Sequence, residues 1–367
     1  MQLPIPLTIL TGFLGSGKTT LLKAVLVNPA MAGTAVIVNE FGEVGLDDAL
    51  IRSTGGAAGD STVLLPSGCV CCEVQGDLVE ALLKLHEDVL AGTIPEISRV
   101  VLETTGLADP GPIARALISD HDLFRVYRLD GIVTTVDAEH IRAQLADNSE
   151  PARQIALADR LVLTKTDRVT AAVTDDVTWL LGELNAAAPV TRVVKGAVDP
   201  ALLFGIGATE ITATGVDAAA WLAADRYKAP AAQDHGHDHN CAAHGCDHAH
   251  NTQDHMPTLD HAASTHLHGI RSFCLTFDRP LDGRRLEGVM EAVRMVYGAK
   301  ILRMKGIIAI AGEALPFVIH GVAQTFYPTE ELPSWPSDDH RSRIVFITKD
   351  LDETSIRTAF APLLEPV

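Results

Sequence analysis

The chain has 367 residues, more than one ordinary hydrophobic core organises, and 47% of them are apolar, so about two domains are expected. Lysine and arginine total 29 against 47 acidic residues, a formal charge of −18, which argues against nucleic acid as the main partner and suits cations. No apolar run is long enough to span a membrane, and the first apolar stretch lacks a preceding basic region and contains Pro4 and Pro6, so a cytoplasmic protein is expected.

Leu7 to Thr11 reads as a buried strand, and the apolar spacing becomes helical from Lys18 to about Val27. Between them lie a glycine, four residues and then Gly-Lys-Thr, the pattern of a phosphate-binding loop. Gly12, Gly15 and Gly17, with Ser16 and Thr20, let successive N–H groups curl around a phosphate. Lys18 reaches the β and γ oxygens, the Thr19 hydroxyl ligates Mg²⁺, and the helix N-terminus adds the positive end of its dipole.

Thr34 to Asn39 is a second β-branched strand, followed by an acidic, glycine-punctuated loop containing Glu40 and Glu43. Such a loop at a strand's carboxyl end lies where open α/β sheets bind ligands. Val63 to Leu65 leads into Gly68-Cys69-Val70-Cys71-Cys72, and a helix is expected from Asp77 to Leu90. Three thiols on one turn of a non-secreted chain read as a site for Zn²⁺ or another thiophilic ion, one ligand short of a tetrahedron.

Arg99 to Glu103 is the next strand, and its terminal acid followed by Thr104-Thr105-Gly106 suits a Mg²⁺-directed carboxylate and a γ-phosphate-sensing loop. Strands follow at Gly131 to Asp137 and Arg160 to Thr164, the latter ending in Lys165-Thr166-Asp167. A carboxylate there accepts from the N1–H and N2–H₂ edge of guanine while the lysine stem covers the base, which selects GTP over ATP. Strands alternate with helical patterns to about Phe204, so this part is a doubly wound α/β domain, assigned residues 1–228.

Residues 229–268 differ in kind. Ten of the fifteen histidines fall here, among them His235, His237 and His239, interleaved with aspartates and with Cys241 and Cys246. The composition predicts a disordered linker whose imidazoles and carboxylates capture Zn²⁺, Ni²⁺, Co²⁺ or Cu²⁺. Residues 269–367 regain periodicity and form a small α+β domain compatible with a ferredoxin-like arrangement. Its strands are expected at Ile270 to Phe277, Ile301 to Ile310, Phe317 to Phe326 and Ile344 to Thr348, with helices at Asp282 to Tyr297 and Glu353 to Leu364. Lys300, Arg303 and Lys305 read as a basic strip on the solvated side of a strand.

The phosphate loop, Asn39-Glu40-Phe41-Gly42-Glu43, the Cys-x-Cys-Cys motif, Glu103-Thr104-Thr105-Gly106, Ala108-Asp109-Pro110-Gly111-Pro112 and Thr164-Lys165-Thr166-Asp167 resemble, in order and spacing, the CobW-like family of metal-linked GTPases, especially its YjiA-type members. Thr164 stands where many members have Asn. The resemblance implies a GTPase that binds Zn²⁺ and delivers it to a client metalloprotein. Lys18, Glu40 and Glu103 then act at the γ-phosphate and Mg²⁺, and Cys69, Cys71 and Cys72 hold the ion, completed by Glu40 or Glu43. The alternatives are cobalt delivery for cobalamin or a metalloenzyme, and a metal buffer in which nucleotide only stabilises the fold. No residue equivalent to a water-positioning glutamine can be named, so hydrolysis is expected to be slow alone and to need a partner or a homodimer. Deleting residues 234–268 should lower the metal stoichiometry of the purified protein, measured by elemental analysis, while GTP hydrolysis persists.

Overall fold

The computed structural model describes residues 4–39, 63–67, 75–207, 218–227 and 268–364. Glu40, Glu43, Cys69, Cys71, Cys72, His235, His237 and His239 lie outside the described residues, as does most of the segment assigned as linker.

The first domain runs β1 (Ile5–Gly12), α1 (Lys18–Leu26), β2 (Thr34–Asn39), β3 (Val63–Ser67), α2 (Gln75–Leu90), β4 (Arg99–Glu103), α3 (Pro110–Ser119), α4 (His121–Val126), β5 (Tyr127–Asp137), α5 (Ile141–Asp147), α6 (Glu150–Leu157), β6 (Arg160–Thr164), α7 (Ala171–Leu184) and β7 (Val190–Arg192). The strands form one seven-stranded parallel sheet in the order β3-β2-β4-β1-β5-β6-β7. Their continuous apolar runs are what a sheet covered on both faces requires. Alternate residues divide between the faces. Ile9, Ile37, Val100 and Leu102 pack with Leu82, Leu117 and Ile155. Leu10, Val36, Val101 and Val133 pack with Leu21, Leu22 and Val25 of α1.

The second part comprises α8 (Ala218–Leu222), β8 (Ile270–Phe277), α9 (Gly283–Tyr297), β9 (Ile301–Ile308), β10 (Phe317–Val322), β11 (Thr325–Phe326), β12 (Glu330–Glu331), β13 (Ser342–Lys349) and α10 (Glu353–Phe360). The antiparallel sheet has the order β11-β10-β9-β13-β8, with β12 also pairing β10. β8, α9 and β9 make a split βαβ unit with β13 inserted between the strands, the part shared with a ferredoxin-like arrangement. The second helix follows the last strand instead of preceding it. The expected strand to Phe326 is broken at Ala323 and Gln324, whose φ values of 40° and 64° turn β11 back onto β10. The last helix stops at Phe360 because Pro362 allows only a 3₁₀ turn beyond it.

Met304, Ile308, Phe346 and Ile344 of this sheet pack beneath α9 and α10 through Leu286, Val293, Ile356 and Phe360. The opposite face meets the first domain, and here the expected solvated basic strip is corrected. Arg303 and Lys305 are 6% and 2% exposed. Both bind the buried carboxylate of Asp159, which lies between α6 and β6; Lys305 Nζ is 2.9 Å from Asp159 Oδ1. Burial alone would raise the Asp159 pKa, but the two cations hold it well below the usual carboxylate range. Lys305 is pushed down to about 8, burial outweighing the attraction of Asp159. A carboxylate buried without these cations would cost several kcal/mol, so the cluster makes the domain contact specific.

Beside the cluster, His320 stacks on Tyr327 with ring centroids 3.9 Å apart and meets Trp221 edge-on. Burial, aided by the charge of Arg303, pushes its pKa down to about 3. Between that value and the unfolded value near 6.5 the unfolded chain binds the extra proton, so stability falls as pH falls through this window. Denaturant unfolding should show a loss approaching ~1.4 kcal/mol per pH unit well below pH 6.5, and His320→Gln should lack this component.

Candidate functional site

The carboxyl edge of the parallel sheet gathers the candidate side chains among the described residues. β1 ends at Gly12, whose φ of 142° and position against Thr135 leave no room for a Cβ; one would lie 2.3 Å from Thr135 Oγ1. Only glycine lets the chain leave the strand there. Gly15 and Gly17 also have positive φ, and Gly17 caps α1 with no side-chain hydrogen bond, so the first N–H groups of α1 face the loop. Gly12, Gly15, Ser16, Gly17, Lys18, Thr19 and Thr20 form one continuous loop and first helical turn, with Ser16 N donating to Phe13 O at 3.1 Å.

Lys18 Nζ donates to Gly12 O at 2.9 Å and Phe13 O at 3.4 Å, which folds the ammonium over the hollow of the loop. Ser16 Oγ lies 2.7 Å from Thr135 Oγ1, fixing the loop to β5. Thr19 Oγ1 donates to Glu103 Oε1 at 2.7 Å. Glu103 is only 4% exposed, at the end of β4. A hydroxyl and a buried carboxylate adjoining a phosphate loop are hard oxygen donors, the set Mg²⁺ takes. The Thr19 and Glu103 expectations therefore meet at one point.

The loop after Glu103 crosses the phosphate loop. Thr104 Oγ1 donates to Thr11 Oγ1 at 2.8 Å and Thr104 N to Leu10 O at 2.9 Å. Gly106 rests on the backbone of Leu14, where an added Cβ would lie 2.7 Å from Leu14 N. On its other side α6 grips the same loop: Gln154 Nε2 donates to Gly106 O at 3.1 Å and Ala108 O at 2.9 Å, and Arg153 pairs with Asp109 at 2.6 Å. Gln154 and Arg153 had no place among the sequence candidates.

At the end of β6, Thr164 Oγ1 donates to Ser16 O at 2.7 Å and Val136 O at 3.1 Å, so this threonine ties β6 to the phosphate loop. Lys165 takes a left-handed backbone, φ 56°, and its Nζ lies 2.6 Å from Asp137 Oδ2. Asp167 follows in an exposed 3₁₀ turn. Asp137 is 2% exposed; burial would raise its pKa, but the bonds from Lys165, His140 and the Glu139 amide hold it below the usual range. Asp137, a strand-terminal acid, is a further residue that sequence reading passed over.

The register also places the chain leading to the thiols. Val38 of β2 lies opposite Glu103, and Asn39 lies opposite Ser67 of β3. Glu40 follows Asn39, and Cys69 comes two residues after Ser67. Both expected metal-ligand segments therefore depart from the sheet edge that carries Glu103.

Residues 6–192 match the CobW/HypB/UreG nucleotide-binding domain, and residues 270–364 match the cobalamin synthesis protein cobW C-terminal domain. The chain is 34% identical to the zinc chaperone YjiA of Escherichia coli strain K12 over 98% of its own length and 99% of that protein. It is 37% identical to zinc-regulated GTPase metalloprotein activator 1 of Schizosaccharomyces pombe over 53% of this chain and 47% of that one. The crystal structure of Zn(II)-bound YjiA GTPase from E. coli superposes with a TM-score of 0.68 at 32% identity, covering 99% of each chain.

Glu103→Gln keeps the shape of the side chain and removes its charge. Mg²⁺-dependent nucleotide hydrolysis should fall on the order of 10- to 100-fold, and steady-state turnover across a Mg²⁺ titration checks it.

Proposed function

The chain belongs to the CobW family of P-loop GTPases, and from that premise we propose that it hydrolyses GTP and uses the cycle to hold and release Zn²⁺ for a client metalloprotein. Lys18 and the N–H groups from Gly12 to Thr20 bind the phosphates, while Lys165 and Asp167 select guanine. Thr19 and Glu103 are the protein groups that would hold Mg²⁺, which neutralises charge on the β and γ oxygens when bound. Glu40 joins them near the γ-phosphate. Cys69, Cys71 and Cys72, completed by Glu40 or Glu43, bind the transferred zinc, and His235, His237 and His239 supply it from the histidine-rich segment. A homodimer or client completes the hydrolytic site, and the reading places the protein in the cytoplasm.

The observation that carries this reading is the strand register. β2, β3 and β4 end side by side, with Val38 opposite Glu103 and Asn39 opposite Ser67. A nucleotide that orders one of these strand ends acts on chain continuous with the others. The zinc named for the relatives agrees with a thiolate-rich motif in this sequence.

Coupling of this kind, ~1–3 kcal/mol, alters zinc affinity about 5- to 150-fold between nucleotide states, with an equal reciprocal effect of zinc on nucleotide. Zinc titration against a chelating indicator, with a non-hydrolysable GTP analogue and then GDP, should show that difference in protein lacking residues 234–268. Cys71→Ser should diminish it, a hydroxyl being a poor zinc ligand. Identical affinities in the two states would reject delivery and favour a buffer.

A further inference from the structure

We propose that Gln154 is a positioning residue for GTP hydrolysis, and that the C-terminal sheet sets its position through Asp159. The proposal rests on the reading that the loop Thr104 to Asp109 serves the γ-phosphate.

α6 lies between the two sheets. From Pro151 to Asp159 every residue except Arg153 is buried. Such a helix has no solvent face, and a glutamine within it must find its hydrogen bonds inside the protein. Gln154, 1% exposed, directs its amide donors to Gly106 O and Ala108 O. The backbone carbonyl of Gln154 accepts from Thr134 Oγ1 at 3.0 Å, which ties the helix to β5, while the side-chain Oε1 is buried with no hydrogen-bond partner among the described residues. One residue earlier, Arg153 pairs with Asp109, and Asp109 Oδ1 also accepts Gly111 N to cap α3. Two adjacent side chains of α6 thus hold the loop at three points, on the side away from the phosphate loop.

The far end of α6 is fixed as firmly. Asn185 Nδ2 donates to the carbonyls of Ile155 at 2.8 Å and Ala158 at 2.9 Å, so the helix end is satisfied by a neighbouring helix. Immediately beyond, Asp159 Oδ2 accepts Ile132 N at 3.0 Å while Oδ1 takes Arg303 and Lys305 of β9. The C-terminal domain reaches the same region a second way: a Cβ on Gly111 would sit 3.0 Å from Ala323 Cβ in the β10–β11 turn. The path from Lys305 to Gly106 consists of one ion cluster, one short helix and one amide, none of it solvent-filled. A rigid element joined at both ends transmits a displacement of the C-terminal sheet to the loop that lies on Leu14 of the phosphate loop. Contiguity identifies the route, and a double-mutant cycle measures whether energy travels along it.

The experiment uses the full chain with GTP. Gln154→Met keeps the bulk and reach of the side chain and deletes both donors. It should lower kcat roughly 10-fold while KM and the affinity for a non-hydrolysable GTP analogue stay within about twofold. Lys305→Met, distant from the nucleotide, should also lower kcat, and in the Gln154→Met background it should cause no further loss. If Lys305→Met does not fold, as thermal melting will show, Arg303→Lys takes its place in the cycle, since it keeps the charge and loses the guanidinium reach. Gly106→Ala, which forces the loop off Leu14, is the reference for the loop itself. A low kcat in Gly106→Ala with wild-type kcat in Gln154→Met would overturn the positioning role. Losses that multiply in the double variant would overturn the link to the C-terminal sheet. Unchanged hydrolysis in Gly106→Ala would remove the loop from the reaction and defeat the underlying reading with it.

Discussion

Parallel pairing of β1 with β4 on one side and β5 on the other is the constraint on which the site depends. With Leu10 opposite both Glu103 and Val133, the ends of three strands fall together, and no side chain could correct a slipped register. The phosphate loop begins where β1 ends, the acid ends β4, and Thr135 and Asp137 end β5. Because all seven strands run the same way, every connection that could touch a ligand leaves from this one edge. The hydroxyls of Thr11, Ser16, Thr19, Thr104, Thr135 and Thr164 then bind the loops to one another, and the glycines supply the conformations that no other residue tolerates.

The second organising feature is the burial of α6. A helix covered by the central sheet on one side and the antiparallel sheet on the other makes the two domains share a core: Leu302 and Ile347 belong to the same cluster as Ile155 and Leu157. The apolar contact supplies adhesion without direction. Direction comes from Asp159, whose two oxygens are divided between Ile132 N and the cations of β9, so a displaced sheet would leave a buried carboxylate without its cations.

What could be read from the sequence was whatever is local. Gly12 to Thr20 has a spacing that only one loop geometry explains, and Glu103 stands where an apolar run ends. The fold class followed from strands alternating with helical segments. The basic strip failed because its meaning depends on a partner 144 residues away: Arg303 and Lys305 alternate along β9 like any solvated pair, and nothing nearby announces Asp159. Gln154 left a fainter signal that could have been used. It stands among Pro151, Ala152, Ile155, Ala156 and Leu157, and a lone amide in an apolar helix has to be hydrogen-bonded inside the protein. Asp137 had the same kind of signal as Glu103, an acid ending an apolar strand, but no motif around it named a partner.

The distance between Asp159 and its cations also has a consequence for biosynthesis. Asp159 leaves the ribosome 144 residues ahead of Arg303, and at common elongation rates of roughly 5–20 residues per second that interval is about 7–30 s. For that time the nascent first domain carries the outward face of α6 without its cover. The carboxylate that will later orient the C-terminal sheet is then hydrated and negatively charged, at the edge of an apolar surface. A charge in that place discourages the surface from adhering to neighbouring chains, as charged residues flanking sticky segments do elsewhere. Arrival of β9 then supplies the two cations that Asp159 binds in the finished fold.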